Sequence, residues 1–262
     1  MAARRESVTG DDTRLLPNGP TGLVSGGHRA AAYAACAIAV LFSVRVWSQY
    51  SNGVPWVAAN VYGLSEAQMS AAAACGRGFV GVRPTCQERS APVASWLANA
   101  GAINAHGPPA IIALLIGVHN LQAKRGTRRH VWLGRAYALA VAISAPFALV
   151  LAAHTTLGLV GAAGFALLAL LWAGATALGV VSLLPRFQRD GVASVERHRR
   201  WMVRSYALTF SAVTVRLSGW LLHQLFPASF SAHYVIGAWL GWVPNLLAAE
   251  AYLRRFPLKG PY

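Results

Sequence analysis

Acidic side chains are what this chain has least of: eight aspartates and glutamates against 23 lysines and arginines in 262 residues. Within its long apolar stretches a single carboxylate remains, Glu250, close to the end of one of them. This scarcity excludes several membrane machines. A di-iron or di-manganese carboxylate centre draws several glutamates from facing helices. A Mg2+-dependent diphosphate enzyme clusters aspartates around its metal. A carboxylate proton relay lacks its members. The sequence also has no HExxH, no GxxxxGK[ST] and no GxSxG, so the zinc-hydrolase, phosphate-loop and serine-elbow chemistries are absent with them.

What is present is apolar. Hydrophobic residues make up 55% of the chain and charged residues 12%, with a mean hydropathy of +0.43; soluble domains carry about 25% charged residues. Runs of about 20 apolar residues are long enough to cross the hydrocarbon layer. They fall at roughly 30–47, 96–120, 131–153, 158–184, 201–226 and 232–253. The expected fold is therefore all-α, a polytopic membrane helix bundle of about six transmembrane helices in a single domain over 30–253. Its partner is the lipid bilayer, and its place is the cell membrane.

Lysine and arginine orient it. The tail to residue 29 holds four, the 121–130 loop four, the 185–200 loop five and the tail from 254 three, against three in the 48–94 loop. By the positive-inside rule both termini are cytoplasmic. The net charge of +15 then reflects topology and contact with anionic headgroups. Nucleic-acid binding is not indicated, because the cations are scattered beside helix ends. Residues 1–29 read as a polar, disordered cytoplasmic tail and the first apolar run as a retained helix. Residues 254–262 read as a second cytoplasmic tail. The 48–94 loop would lie outside, where Cys75 and Cys86 either form a disulfide or stay as two thiols.

Polar residues inside the spans carry any function. In the fifth span His198, Ser205, Thr209, Arg216 and His223 are offset by 7, 4, 7 and 7, which puts them within about 40° on an ideal helix. The stripe is expected to face the bundle interior. Matching faces are His106, Ala110, Ala113, Gly117 and Asn120 in the second span, and His130, Gly134, Tyr137, Val141 and Ser144 in the third. The fourth offers Trp172, Thr176 and Gly179, and the sixth His233, Gly237, Pro244 and Glu250. Pro108 and Pro109 are expected to kink the second helix.

Histidine and arginine without carboxylate point to one cofactor before others. Neutral imidazoles from two helices hold b-type haem in membranes, and guanidinium pairs with the propionates. His106 with His223, and His130 with His198, are the candidate axial pairs; Arg216 and Arg204 are the candidate propionate partners. This makes a haem-binding or membrane redox protein, with a redox partner in the membrane, the leading reading. Two others stand beside it: a small-molecule transporter or membrane-embedded biosynthetic enzyme with an Arg/His-lined cavity at Arg216 and Thr209, and a non-catalytic scaffold in which Arg216 binds backbone carbonyls.

The runs HVWLGRAYALAVAISAP (130–146) and HRRWMVRSYALTFSAVTVRL (198–217) closely resemble bacterial membrane proteins grouped as domain of unknown function 2306, over roughly residues 96–220. The resemblance implies a helical membrane protein of unestablished activity. It implies that His106, His130, Gly134, Arg135, Tyr137, His198, Arg199, Arg200, Trp201, Met202, Arg204, Ser205, Tyr206 and Arg216 belong to the family pattern, without giving any of them a role.

Overall fold

The computed structural model describes residues 98–123, 126–184, 191–225 and 230–256, residues 37–45, and a few single positions before 98; within these ranges the side chains at 191, 192, 223, 230 and 231 are not described. The 1–29 and 257–262 tails, the Cys75–Cys86 pair and nearly all of the 48–94 loop lie outside the described residues. The described residues are mostly helical and contain no strand. The elements are α1 (Ala100–Gln122), α2 (Arg128–Ala153), α3 (Gly158–Val181), α4 (Gly191–Thr209), α5 (Ser211–Leu225), α6 (Phe230–Leu240) and α7 (Val243–Arg255). Helices α1, α2 and α3 are each long and apolar enough to cross a membrane.

Short links make the first four helices run up and down. Gly126 at φ 70° and Gly158 at φ 67° take the left-handed backbone that the α1–α2 and α2–α3 turns require, a region costly for side-chain-bearing residues. Thr127 caps α2, its hydroxyl accepting from the His130 N–H at 3.2 Å. Helix α1 packs along α2, α2 along α3 and α3 along α4. Pro108 and Pro109 sit inside α1, which continues through them to Gln122. Small residues set the spacing: a Cβ on Gly117 would enter the rings of Tyr206 and Tyr137, and one on Gly179 would meet the Met202 thioether.

The fifth and sixth apolar spans are each divided in two. Helix α4 ends at Thr209 and α5 begins at Ser211. Thr209, Ser211 and Thr214 all bond back to carbonyls four residues earlier, those of Ser205, Ala207 and Phe210. Hydroxyls used in this way bend a helix. The α6–α7 break falls at Gly241–Trp242, just ahead of Pro244, whose ring has no N–H to give and crowds the preceding turn. The halves are shorter or more polar than a spanning helix, which is why α1, α2 and α3 are the ones that qualify by length and composition.

The core sits where α1 to α4 meet α7. Tyr137, Val141, Trp172, Ala175, Leu208 and Trp242 are buried together there. Outside, Leu159, Leu139, Leu170, Trp220 and Leu247 are exposed. An apolar exterior around a small-residue and hydroxyl-bearing interior suits a solvent of lipid tails.

Candidate functional site

The inward faces meet in a closed group of hydroxyls. Tyr137 from α2 shares hydrogen bonds with Ser205 at 2.7 Å and Thr209 at 2.6 Å, both on α4. Trp172 from α3 donates its indole N–H to Thr209 at 2.8 Å, and Thr176 meets Ser205 at 2.7 Å. All five side chains are buried, Ser205 completely. The group locks three helices with every hydroxyl partnered, which is how a low-dielectric interior tolerates polar groups. Its members are hydroxyls and one indole, and their bonds fix the packing of α2, α3 and α4.

Two imidazoles are tied to neighbouring helices. His106 on α1 places Nδ1 2.8 Å from the Ser144 hydroxyl and 3.2 Å from the Ser144 carbonyl on α2; that hydroxyl donates to the His106 carbonyl at 2.9 Å. A carbonyl only accepts, so a hydrogen bond between it and Nδ1 needs the proton on Nδ1. His198 on α4 does likewise with the Gly179 carbonyl of α3 at 2.9 Å. His154 also gives Nδ1 to a carbonyl, but that of Val150 in its own last turn. His233 is buried on α6.

Register aligns the second histidine pair. Tyr137 and Ser205 touch, and His130 and His198 each lie seven residues earlier on helices that run the same way. Two turns correspond to about 10 Å on both helices, so His130 and His198 share a depth. His106 lies toward the other end of the bundle, within electrostatic reach of Arg216. His223 lies on α5, two turns beyond Arg216; its side chain lies outside the described residues.

Arg216 departs from the expectation of one continuous inward stripe. His198, Ser205 and Thr209 do face neighbouring helices, but the break at Phe210 turns α5 relative to α4. Arg216 is exposed, donates to the Ala212 carbonyl of its own helix at 2.9 Å and lies over the Phe42 ring at 5.2 Å. It therefore shares no lining with Thr209, which is sealed among the hydroxyls.

Arg204 is held in a bidentate ion pair with Glu250 on α7: Nε pairs with one carboxylate oxygen, and Nη2 donates to the other at 3.0 Å. Its guanidinium also lies over the Trp201 ring at 4.8 Å. Arg199 completes the clasp, meeting Glu196 at 3.3 Å and donating to the Phe256 carbonyl at 2.7 Å. Arg204 is thus occupied within the protein.

Sequence reasoning did not find three features. It named His106 and Ser144 on facing stripes without pairing them, and Arg204 and Glu250 without joining them. It passed over Asn245, whose amide donates to the Ala207 carbonyl at 3.2 Å, the Thr214 hydroxyl at 2.9 Å and the Gly241 carbonyl at 3.2 Å, tying the two helix breaks together. An asparagine just after Pro244 in an apolar run was the available signal. Two other buried polar atoms, Asn120 Oδ1 and Trp242 Nε1, have no hydrogen-bond partner among the described residues.

A bundle with an apolar coat, a hydroxyl-locked core and basic helix ends defines an integral membrane protein. Residues 103–253 match the family described as predicted membrane protein DUF2306, and the chain belongs to that family. No curated protein and no solved structure matches it.

Proposed function

We propose that this protein is a six-span cell-membrane protein with both termini cytoplasmic, and that it binds b-type haem for electron transfer within the bilayer. The observation that carries the reading is the contact of the His106 and His198 Nδ1 atoms with carbonyls on neighbouring helices, at 3.2 and 2.9 Å. Axial imidazoles are oriented by second-shell hydrogen bonds of this kind. His130, level with His198, is the second residue of one pair; His223, on the helix that carries Arg216, is the second residue of the other. Arg216, exposed and near His106, is the propionate partner this reading needs. Arg204 has a weaker claim, because Glu250 already occupies its fork.

The test is an absorption spectrum of protein purified in mild detergent after expression with ample haem supply. A Soret band lost in His106→Ala, His198→Ala or their partners, and kept in His154→Ala, is the expected result. No Soret band in the wild type sinks the proposal. The transporter reading required Arg216 and Thr209 on one lining, and their separation speaks against it. Haem-free protein would leave the scaffold reading, which the closed hydroxyl group also suits.

A further inference from the structure

Basic side chains crowd the end of the bundle where α1 finishes, α2 begins, α4 enters and α7 ends. Among the described residues Glu196 and Glu250 are the carboxylates at this end, and each is taken. Arg199 holds Glu196, and Arg204 occupies both oxygens of Glu250. Arg200 lies one turn before Arg204 on α4 and Arg254 one turn after Glu250 on α7, so both sit on the faces that the Arg204–Glu250 pair joins, displaced from it toward the same end of the bundle. Neither makes a hydrogen bond or ion pair among the described residues. The seam between α4 and α7 therefore gathers three arginines, Arg200, Arg204 and Arg254, around one carboxylate already in use.

The surroundings set its depth. Tyr252 on α7 and Phe256 just after it are exposed with ring centroids 5.2 Å apart, and Trp132 is exposed on α2 with Arg135 over its ring at 5.3 Å. Exposed aromatic side chains beside arginines mark the interface of a membrane protein, where apolar rings meet headgroups. At that level the abundant anion is a lipid phosphate, and guanidinium binds phosphate through paired N–H donors.

We propose that the α4–α7 seam is a binding site for anionic phospholipid, with Arg200 and Arg254 holding the headgroup phosphate and Tyr252 beside it. The occupied Arg204–Glu250 pair forms its floor and holds the two helices at a fixed separation. Occupancy would brace the C-terminal helix against α4, so the lipid acts as a structural ligand. The site is independent of any haem.

The full chain in nanodiscs of phosphatidylcholine alone, or of an equimolar mixture with phosphatidylglycerol, tests this. The wild type should unfold several degrees higher in the anionic mixture, as for any ligand that binds the folded state alone. The double variant Arg200→Gln/Arg254→Gln should lose most of that rise while matching the wild type in phosphatidylcholine. Arg128→Gln/Arg129→Gln, an equal loss of charge at the start of α2, should keep it. Equal losses in both variants would mean diffuse surface charge and overturn the site. So would a wild type indifferent to phosphatidylglycerol, or one raised as much by inorganic phosphate in phosphatidylcholine. Should the glutamine variant not fold, Arg200→Lys/Arg254→Lys retains charge without the fork; native mass spectrometry should then show less co-purified phosphatidylglycerol than on the wild type, and undiminished lipid refutes the proposal.

Discussion

Tyr137 shows how a single polar group organises this interior. Its hydroxyl lies between Ser205 and Thr209 with no water-facing route. Tyr137→Phe leaves those two hydroxyls to find other partners and should cost about 1 kcal/mol. Unfolding in mixed detergent would read it, and an unchanged midpoint would show the group to be energetically idle. Gly117 sets the opposite limit. Any side chain there enters the rings of Tyr206 and Tyr137, so Gly117→Val should destabilise by about 1–3 kcal/mol through overpacking, with lowered yield of folded protein as a second readout. Residue choice at both positions was visible in the sequence, since a tyrosine and a glycine fell on inward stripes. Their partners were not, because a stripe fixes direction on one helix and says nothing of the distance to the next.

The discontinuous helices carry the element-scale consequences. Asn245 donates across both breaks, to Ala207 before the first and Gly241 at the second. Asn245→Leu removes these bonds and leaves carbonyls unmet in an apolar setting, a loss of about 1–3 kcal/mol. Hydrogen exchange should rise first in α5 to α7, with α1 to α3 still protected; uniform loosening would argue against a local tie. The clasp between α4 and α7 gives a second forecast. Glu250→Gln removes the charge held by Arg204, and the partly exposed setting limits the effect to about 1–2 kcal/mol. Proteolysis after Phe256 in detergent should accelerate without a change in the Tyr137 environment. The break between α4 and α5 was not expected from the run of apolar residues. Hydropathy measures transfer to lipid and is blind to whether serine and threonine hydroxyls turn back on their own helix.

At the scale of the molecule, the apolar coat and the basic rim decide where the protein lives and which way it faces. Fusing a reporter after Tyr262 should place it in the cytoplasm if the proposed orientation, read from the lysine and arginine distribution, holds; an external reading overturns the six-span arrangement. Three helices meet the length and hydropathy of a membrane span outright, and the proposed count of six depends on the paired half-helices acting as two spans and on the first apolar run. The imidazoles add a function-level expectation. His198→Ala and His130→Ala should behave alike in the haem spectrum because they lie level, whereas His154→Ala should resemble the wild type.

The sequence by itself determined the class of the molecule and the inward side of each long helix. Composition fixes the free energy of transfer into lipid, and 3.6-residue periodicity fixes which side chains share a face. It also carried the family pattern, because HRRWMVRSYALTF is a local string. Tertiary structure alone decided which faces touch: that Ser144 holds His106, that Glu250 takes Arg204, and that the bend at Phe210 moves Arg216 out of line with Thr209. Those outcomes depend on helix separation, rotation and breaks, quantities set by packing between segments distant in the chain. A periodicity within one segment contains none of them.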